Sequence, residues 1–133
     1  MTAPTLTLID GVVIIALVWL AIGLLGIFSH RHFALVSYRL FPLSAINSLA
    51  LALLALTSIS GETQQLILPI GLPGLPFHLR LDALSSFFLM LLGAASAGIS
   101  IYSAGYFRPA EGRALGLQCL LYHIFLASMA FVL

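Results

Sequence analysis

Four long stretches of this sequence contain no Asp, Glu, Lys or Arg, and they leave few folds open to it. They cover residues 11–29 (GVVIIALVWLAIGLLGIFS), 40–61, 83–107 and 114–133. An α-helix rises about 1.5 Å per residue, so about 20 residues cross a hydrocarbon core of about 30 Å. Each stretch is long enough. Backbone N–H and C=O groups find no partners in lipid, which favours helices over open strands. The sequence predicts an all-α membrane protein, a single unit with transmembrane helices over 9–29, 40–61, 83–107 and 114–133.

Composition agrees. Hydrophobic residues make up 62% of the chain and charged residues 7%, against about a quarter charged in soluble domains. Disorder is excluded by the same numbers. A net charge of +1, with all five cations arginine, excludes a polybasic nucleic-acid binder, so the expected partner is the lipid bilayer. The lone Cys119 excludes a disulfide framework or a cysteine-based metal site. A cleaved signal peptide needs a basic segment before its apolar run and small residues after it. Asp10 precedes the first run here, and Phe28, His30 and Arg31 follow it, so the run is read as a retained helix.

Arginine placement sets an expected orientation. Arg31 and Arg39 follow the first run, Arg108 and Arg113 follow the third, and the long link between runs two and three holds only Arg80. Basic residues in short loops stay on the cytoplasmic side, which puts both chain ends outside.

The link itself, ETQQLILPIGLPGLPFHLRLD over 62–82, alternates Phe77, Leu79 and Leu81 with His78, Arg80 and Asp82. That is the period of a half-buried strand. Residues 65–70 are its expected partner and 71–74 the turn, giving a small extracytoplasmic β-hairpin between helices two and three. An irregular amphipathic loop is the alternative, because Pro69, Pro73 and Pro76 each remove a ladder donor. Asp82 precedes the third run where an N-cap belongs, able to accept from the amides of Leu84 or Ser85 and to favour the helix dipole. A lone carboxylate has no general-acid partner, so a cap is expected and not catalysis.

Within the spans, Gly93 with Ala97 and Ala94 with Gly98 would allow a neighbouring backbone to approach, and Asn47 and Ser48 would bond across a helix interface. Tyr102, Tyr106 and Phe107 read as interfacial anchors. Trp19, near the middle of the first run, faces lipid or fills a packing gap. Besides Cys119, His123 is the one ionisable group well inside a span. It is the candidate for a proton path; the alternative is a neutral imidazole bonded to another helix or hydrated near the surface. His30, His32 and His78 fall in links without carboxylates at metal-binding spacing. GxxxxGK, nucleophile-elbow, CxxC and HExxH motifs are absent, and no catalytic, cofactor-binding or metal residue is expected.

The segments LRLDALSSFFLMLLG (79–93), SIYSAGYFR (100–108) with Glu111 and Gly112, and IFLASMAFVL (124–133) resemble a known superfamily. Its members are the antiporter-like membrane subunits of respiratory complex I, multisubunit sodium/proton antiporters and membrane-bound hydrogenases. The hairpin GLPFHLRLDALS looks closest to the hydrogenase-4 component B and formate-hydrogenlyase type. The similarity covers about the last 60 residues, while 1–62 match in hydropathy and topology.

The resemblance implies a longer parent of about fourteen helices in a bacterial or archaeal cytoplasmic (inner) membrane, with an outward N-terminus. Such a parent translocates protons or sodium, driven by electron transfer in partner membrane subunits of a redox or antiporter complex. The family's functional groups are a glutamate on the fifth helix and buried lysines beyond it. This chain ends with its fourth run and has no lysine, so none of them carries over. Asp82, Ser85, Tyr106, Arg108 and Ser128 match the family's cap, packing and interface regions. The expectation is an N-terminal fragment that binds no flavin, iron–sulfur cluster or quinone and conducts no protons alone. A complete four-helix scaffold or assembly protein is the alternative. A small multidrug transporter ranks last, because it needs a carboxylate in an early helix.

Overall fold

The computed structural model describes residues 7–29, 35–72, 75–106 and 115–133. Arg31, Phe107, Arg108, Glu111, Gly112, Arg113, His30 and His32, together with Pro73 and Gly74, lie outside them. Among the described residues four helices are long and apolar enough to cross a membrane: α1 (Leu8–Phe28), α2 (Val36–Ser58), α3 (Ala83–Tyr106) and α4 (Leu115–Val132). Between α2 and α3 stands an antiparallel pair, β1 (Gln64–Leu72) and β2 (Leu75–Leu81).

A capping box starts α1. The Thr7 hydroxyl accepts from the Asp10 amide, and the Asp10 carboxylate accepts from the Thr7 amide at 2.9 Å and its hydroxyl at 2.7 Å. Two amides that helix geometry would leave unpaired are thereby satisfied. The helix is apolar all round, so polarity does not mark its inner face. Packing against the other helices decides it: Ala16, Gly23 and Gly26 point inward with Ile15, Trp19 and Ile22, while Leu17, Leu24 and Leu25 point out.

Helix α2 starts earlier than the charge-free run suggests. Residues Val36–Leu40 form a π-turn that passes directly into Phe41–Ser58, with the Phe41 amide bonded to the Val36 carbonyl. Pro42 supplies the reason. It lacks the N–H that would reach Tyr38, and its ring would meet that carbonyl in a regular α-helix. Widening the preceding turn by one residue removes the clash. Arg39 therefore belongs to a helix and not to a loop; its side chain is exposed while Val36, Ser37 and Leu40 are buried.

The hairpin is real and longer than expected, with strands reaching Leu72 and Leu75 on either side of residues 73–74. Pairing is regular from Gln64↔Leu81 to Leu68↔Phe77, then shifts between Leu68 and Gly71. Pro69 falls in the shifted stretch, where a missing ladder donor costs least. Leu81 is buried and Leu79 half-buried, while His78 and Arg80 are exposed, as period-two alternation requires. Gln64 Oε1 accepts from the Ile9 amide at 3.2 Å and ties the hairpin to the start of α1.

Packing is dominated by two helix pairs, α2 with α3 and α1 with α4; α1 also contacts α2, and α3 meets α4 only lightly. Gly93 lies against the Ser48 carbonyl and the Ala52 amide of α2. Gly23 and Gly26 lie against Leu120, His123 and Cys119 of α4. Missing side chains let the backbones approach at both crossings. Of the two small-residue pairs on α3, Gly93 and Ala97 are buried in this way. Ala94 and Gly98 are exposed, and nothing stands within 4 Å of a Cβ placed at Gly98.

One core cluster joins Ile9, Val12, Ile15, Trp19, Leu51, Leu89 and Leu126 with Leu81 of the hairpin. A second, at the other end of the bundle, holds Ile22, Val36, Leu40, Phe41, Leu115 and Cys119. Trp19 is fully buried and fills the packing gap.

Candidate functional site

The second cluster surrounds a set of buried polar side chains from three helices. Ser44 of α2, Ser100 of α3 and His123 of α4 are each fully buried, and Tyr122 beside His123 is half-buried. The Phe41 ring lies 6.4 Å from both the Tyr122 and His123 rings, and those two meet edge to face at 5.1 Å. Gly23 of α1 closes the remaining side, where an added Cβ would stand 3.0 Å from His123 Cβ.

Hydrogen-bond chemistry fixes the state of the imidazole. Nδ1 lies 2.7 Å from the Cys119 carbonyl oxygen, which only accepts, so Nδ1 carries the hydrogen. In the neutral ring Nε2 is then the acceptor and takes the Ser44 hydroxyl hydrogen at 2.8 Å. The Cys119 thiol, 3.6 Å from Nδ1, sits on the nitrogen already engaged. Ser100 Oγ is 3.3 Å from Ser44 Oγ and 3.2 Å from the Tyr122 hydroxyl. That hydroxyl donates to the Ser96 carbonyl at 3.0 Å. The result is a continuous chain, Cys119 O, His123, Ser44, Ser100, Tyr122, Ser96 O, with a backbone carbonyl at each end.

The sequence singled out His123 but not its partners. Isolated serines on apolar helices look alike until the helix pairing decides which face inward. Outward hydroxyls turn back on their own helix: Thr57 donates to the Leu54 carbonyl and Ser128 to that of Phe125. Ser44 and Ser100 instead reach other helices. Ser37 does likewise, donating to the Ala104 carbonyl at 2.9 Å.

Asn47 bonds across the interface, its Nδ2 donating to the Ile15 carbonyl at 3.1 Å. Its neighbour Ser48 is buried with no hydrogen-bond partner, as are Ser86 Oγ and Trp19 Nε1. Tyr102 and Tyr106 stack at 5.2 Å on the exposed face of α3.

Asp82 is the N-cap of α3. Its Oδ1 accepts from the Ser85 amide at 2.8 Å. Bonds from the Ser85 amide and then the Ser85 side chain hold the carboxyl below its ordinary pKa, with Arg80 assisting. Among the described residues no group of three or more His, Cys, Asp or Glu is placed to hold a metal. The chain as a whole matches no family model, no curated protein and no solved structure.

Proposed function

We propose that this chain is a multi-pass segment of a bacterial or archaeal cytoplasmic membrane with its N-terminus and hairpin outside. In this reading it is the packing, non-conducting part of an antiporter-like subunit that moves protons or sodium alongside other membrane subunits of a redox or antiporter complex. The observation that carries the non-conducting role is the closed hydrogen-bond chain around His123. A conducting relay passes a proton in at one end and out at the other. Here both ends rest on backbone carbonyls, which accept a hydrogen bond and deliver no proton onward.

Other features agree with a bilayer setting. Leu17, Leu24, Leu53, Ile101 and Phe125 stand more than half exposed along the helices, an arrangement that lipid solvates and water does not. Four arginines on one side against one on the other support the orientation. The resemblance of 79–93, 100–108 and 124–133 to antiporter-like subunits supports the assignment to an ion-translocating assembly.

Reconstitution tests the role. Proteoliposomes holding this chain alone should show no more uncoupler-sensitive proton flux than empty vesicles, and flux above that level overturns the reading. Single cysteines at Thr7 and His78, introduced on a Cys119→Ser background, test orientation: both should react with an impermeant thiol reagent added outside intact cells.

A further inference from the structure

The hydrogens along the buried chain do not match its contacts in number. Five contacts link it, from Cys119 O through His123, Ser44, Ser100 and Tyr122 to Ser96 O. A neutral imidazole brings one hydrogen and each hydroxyl brings one, so four hydrogens serve five contacts. Three places are fixed, because the Cys119 carbonyl, the Ser96 carbonyl and Nε2 only accept. Their bonds measure 2.7, 3.0 and 2.8 Å. The Ser100 hydrogen alone is left for the contacts to Ser44 and Tyr122, and these are the two longest, at 3.3 and 3.2 Å.

We propose that this chain is a proton-binding site that takes up one proton from water at His123 Nε2. An N–H bond forms there as an O–H bond of hydronium breaks, leaving water and turning the ring into imidazolium; the hydroxyls only reorient. The Ser44 hydroxyl turns from Nε2 to Ser100, the Ser100 hydroxyl turns to Tyr122, and Tyr122 stays on the Ser96 carbonyl. Every contact then holds one hydrogen, and no polar atom of the chain is left unpaired.

The groups around the ring are consistent with this. Helix α4 itself presents the Cys119 thiol and the Tyr122 hydroxyl, α2 the Ser44 hydroxyl and the Phe41 ring, α3 Ser100 and the Ser96 carbonyl, and α1 the backbone at Gly23. These partners include no carboxylate and no arginine, so the added charge rests on oriented hydroxyl and carbonyl dipoles. Both ends of the chain are carbonyls, which accept hydrogen bonds and hand no proton onward. The site holds a proton and does not pass it across. Uptake turns the His123–Ser44 bond into a charge-assisted one, strengthening the contact between α2 and α4. The inference is independent of any larger assembly.

The test uses the full chain with 15N-labelled histidine in lipid nanodiscs, with His123 assigned by comparison with His123→Asn. At high pH the ring should be the Nδ1–H tautomer; on acidification Nε2 should gain a proton while the helices stay folded by circular dichroism. In Ser100→Ala the Ser44 hydroxyl loses the acceptor it needs after uptake, so proton affinity should fall about tenfold. Tyr122→Phe removes the next acceptor, should shift affinity the same way, and serves if Ser100→Ala does not fold. A ring that stays neutral down to the pH of unfolding overturns the proposal. So does an affinity unchanged by either folded variant.

Discussion

Gly93 of α3 and Ala52 of α2 are so close that a methyl group on Gly93 would lie 2.7 Å from the Ala52 amide nitrogen. The Ser48 carbonyl oxygen would be at the same distance. Neither is the end of a flexible side chain, so the contact cannot be relieved by a rotamer change. Gly93→Ala should destabilise the α2–α3 pair by about 1–3 kcal/mol, the usual cost of overpacking. Gly98→Ala, one turn and a residue further along the same helix, meets open space and should be neutral or stabilising by up to about 1 kcal/mol. Thermal unfolding of both variants in one detergent checks the pair, and equal losses would contradict the packing.

Asp82 gives a pH-dependent prediction. Its folded pKa lies below the ordinary value, so it contributes stability in full above the ordinary carboxylate range of about 4. That contribution fades as the pH falls through the lowered folded value. Asp82→Ala should lower the melting temperature at neutral pH. Asp82→Asn, which still caps, should lower it less and should flatten the loss of stability as the pH falls below about 4.

Ser44→Ala leaves His123 Nε2 without its donor. The expected cost is about 1 kcal/mol, since hydrogen bonds between membrane helices average about 0.6 and reach about 1.7. His123→Leu should cost more through lost packing, and adding Ser44→Ala to it should cost little further. A double-mutant cycle on unfolding free energies reads the coupling.

The π-turn predicts an energetic coupling between Ser37 and Pro42. Ser37 sits within it and bonds to the Ala104 carbonyl. Pro42→Ala restores the missing N–H, removes the clash, and should let the turn close to regular α geometry, which rotates Ser37 away from α3. Ser37→Ala should then cost about 1 kcal/mol in the wild-type chain and close to nothing in Pro42→Ala. Equal costs in both backgrounds would mean that the proline does not set the turn.

Much of the architecture was legible because apolar length and turn residues report it directly. Four charge-free runs located the helices, the alternation from Phe77 to Asp82 located the strand, and the position of Asp82 identified a cap. Starting the second helix just after its nearest arginine was misleading, because Arg39 reaches outward from inside a helix. Pro42 was the available signal for the irregular turn. Thr7 and Asp10 likewise carried the spacing of a capping box. Small residues on α3 marked two faces, and only the partner helix could choose between Gly93 and Gly98. The members of the buried chain come from positions 44, 100 and 122 as well as 123, and only tertiary pairing brings them together.

The pairing of α1 with α4 also has a consequence for biosynthesis. About 107 residues separate Leu8 from Leu115, the starts of the two helices. At about 5–20 residues per second, α1 leaves the ribosome roughly 5–20 s before its main partner does. Through that interval the close contacts of Gly23 and Gly26 with Leu120, His123 and Cys119 cannot form, so the α1–α4 crossing assembles only once the last helix is made.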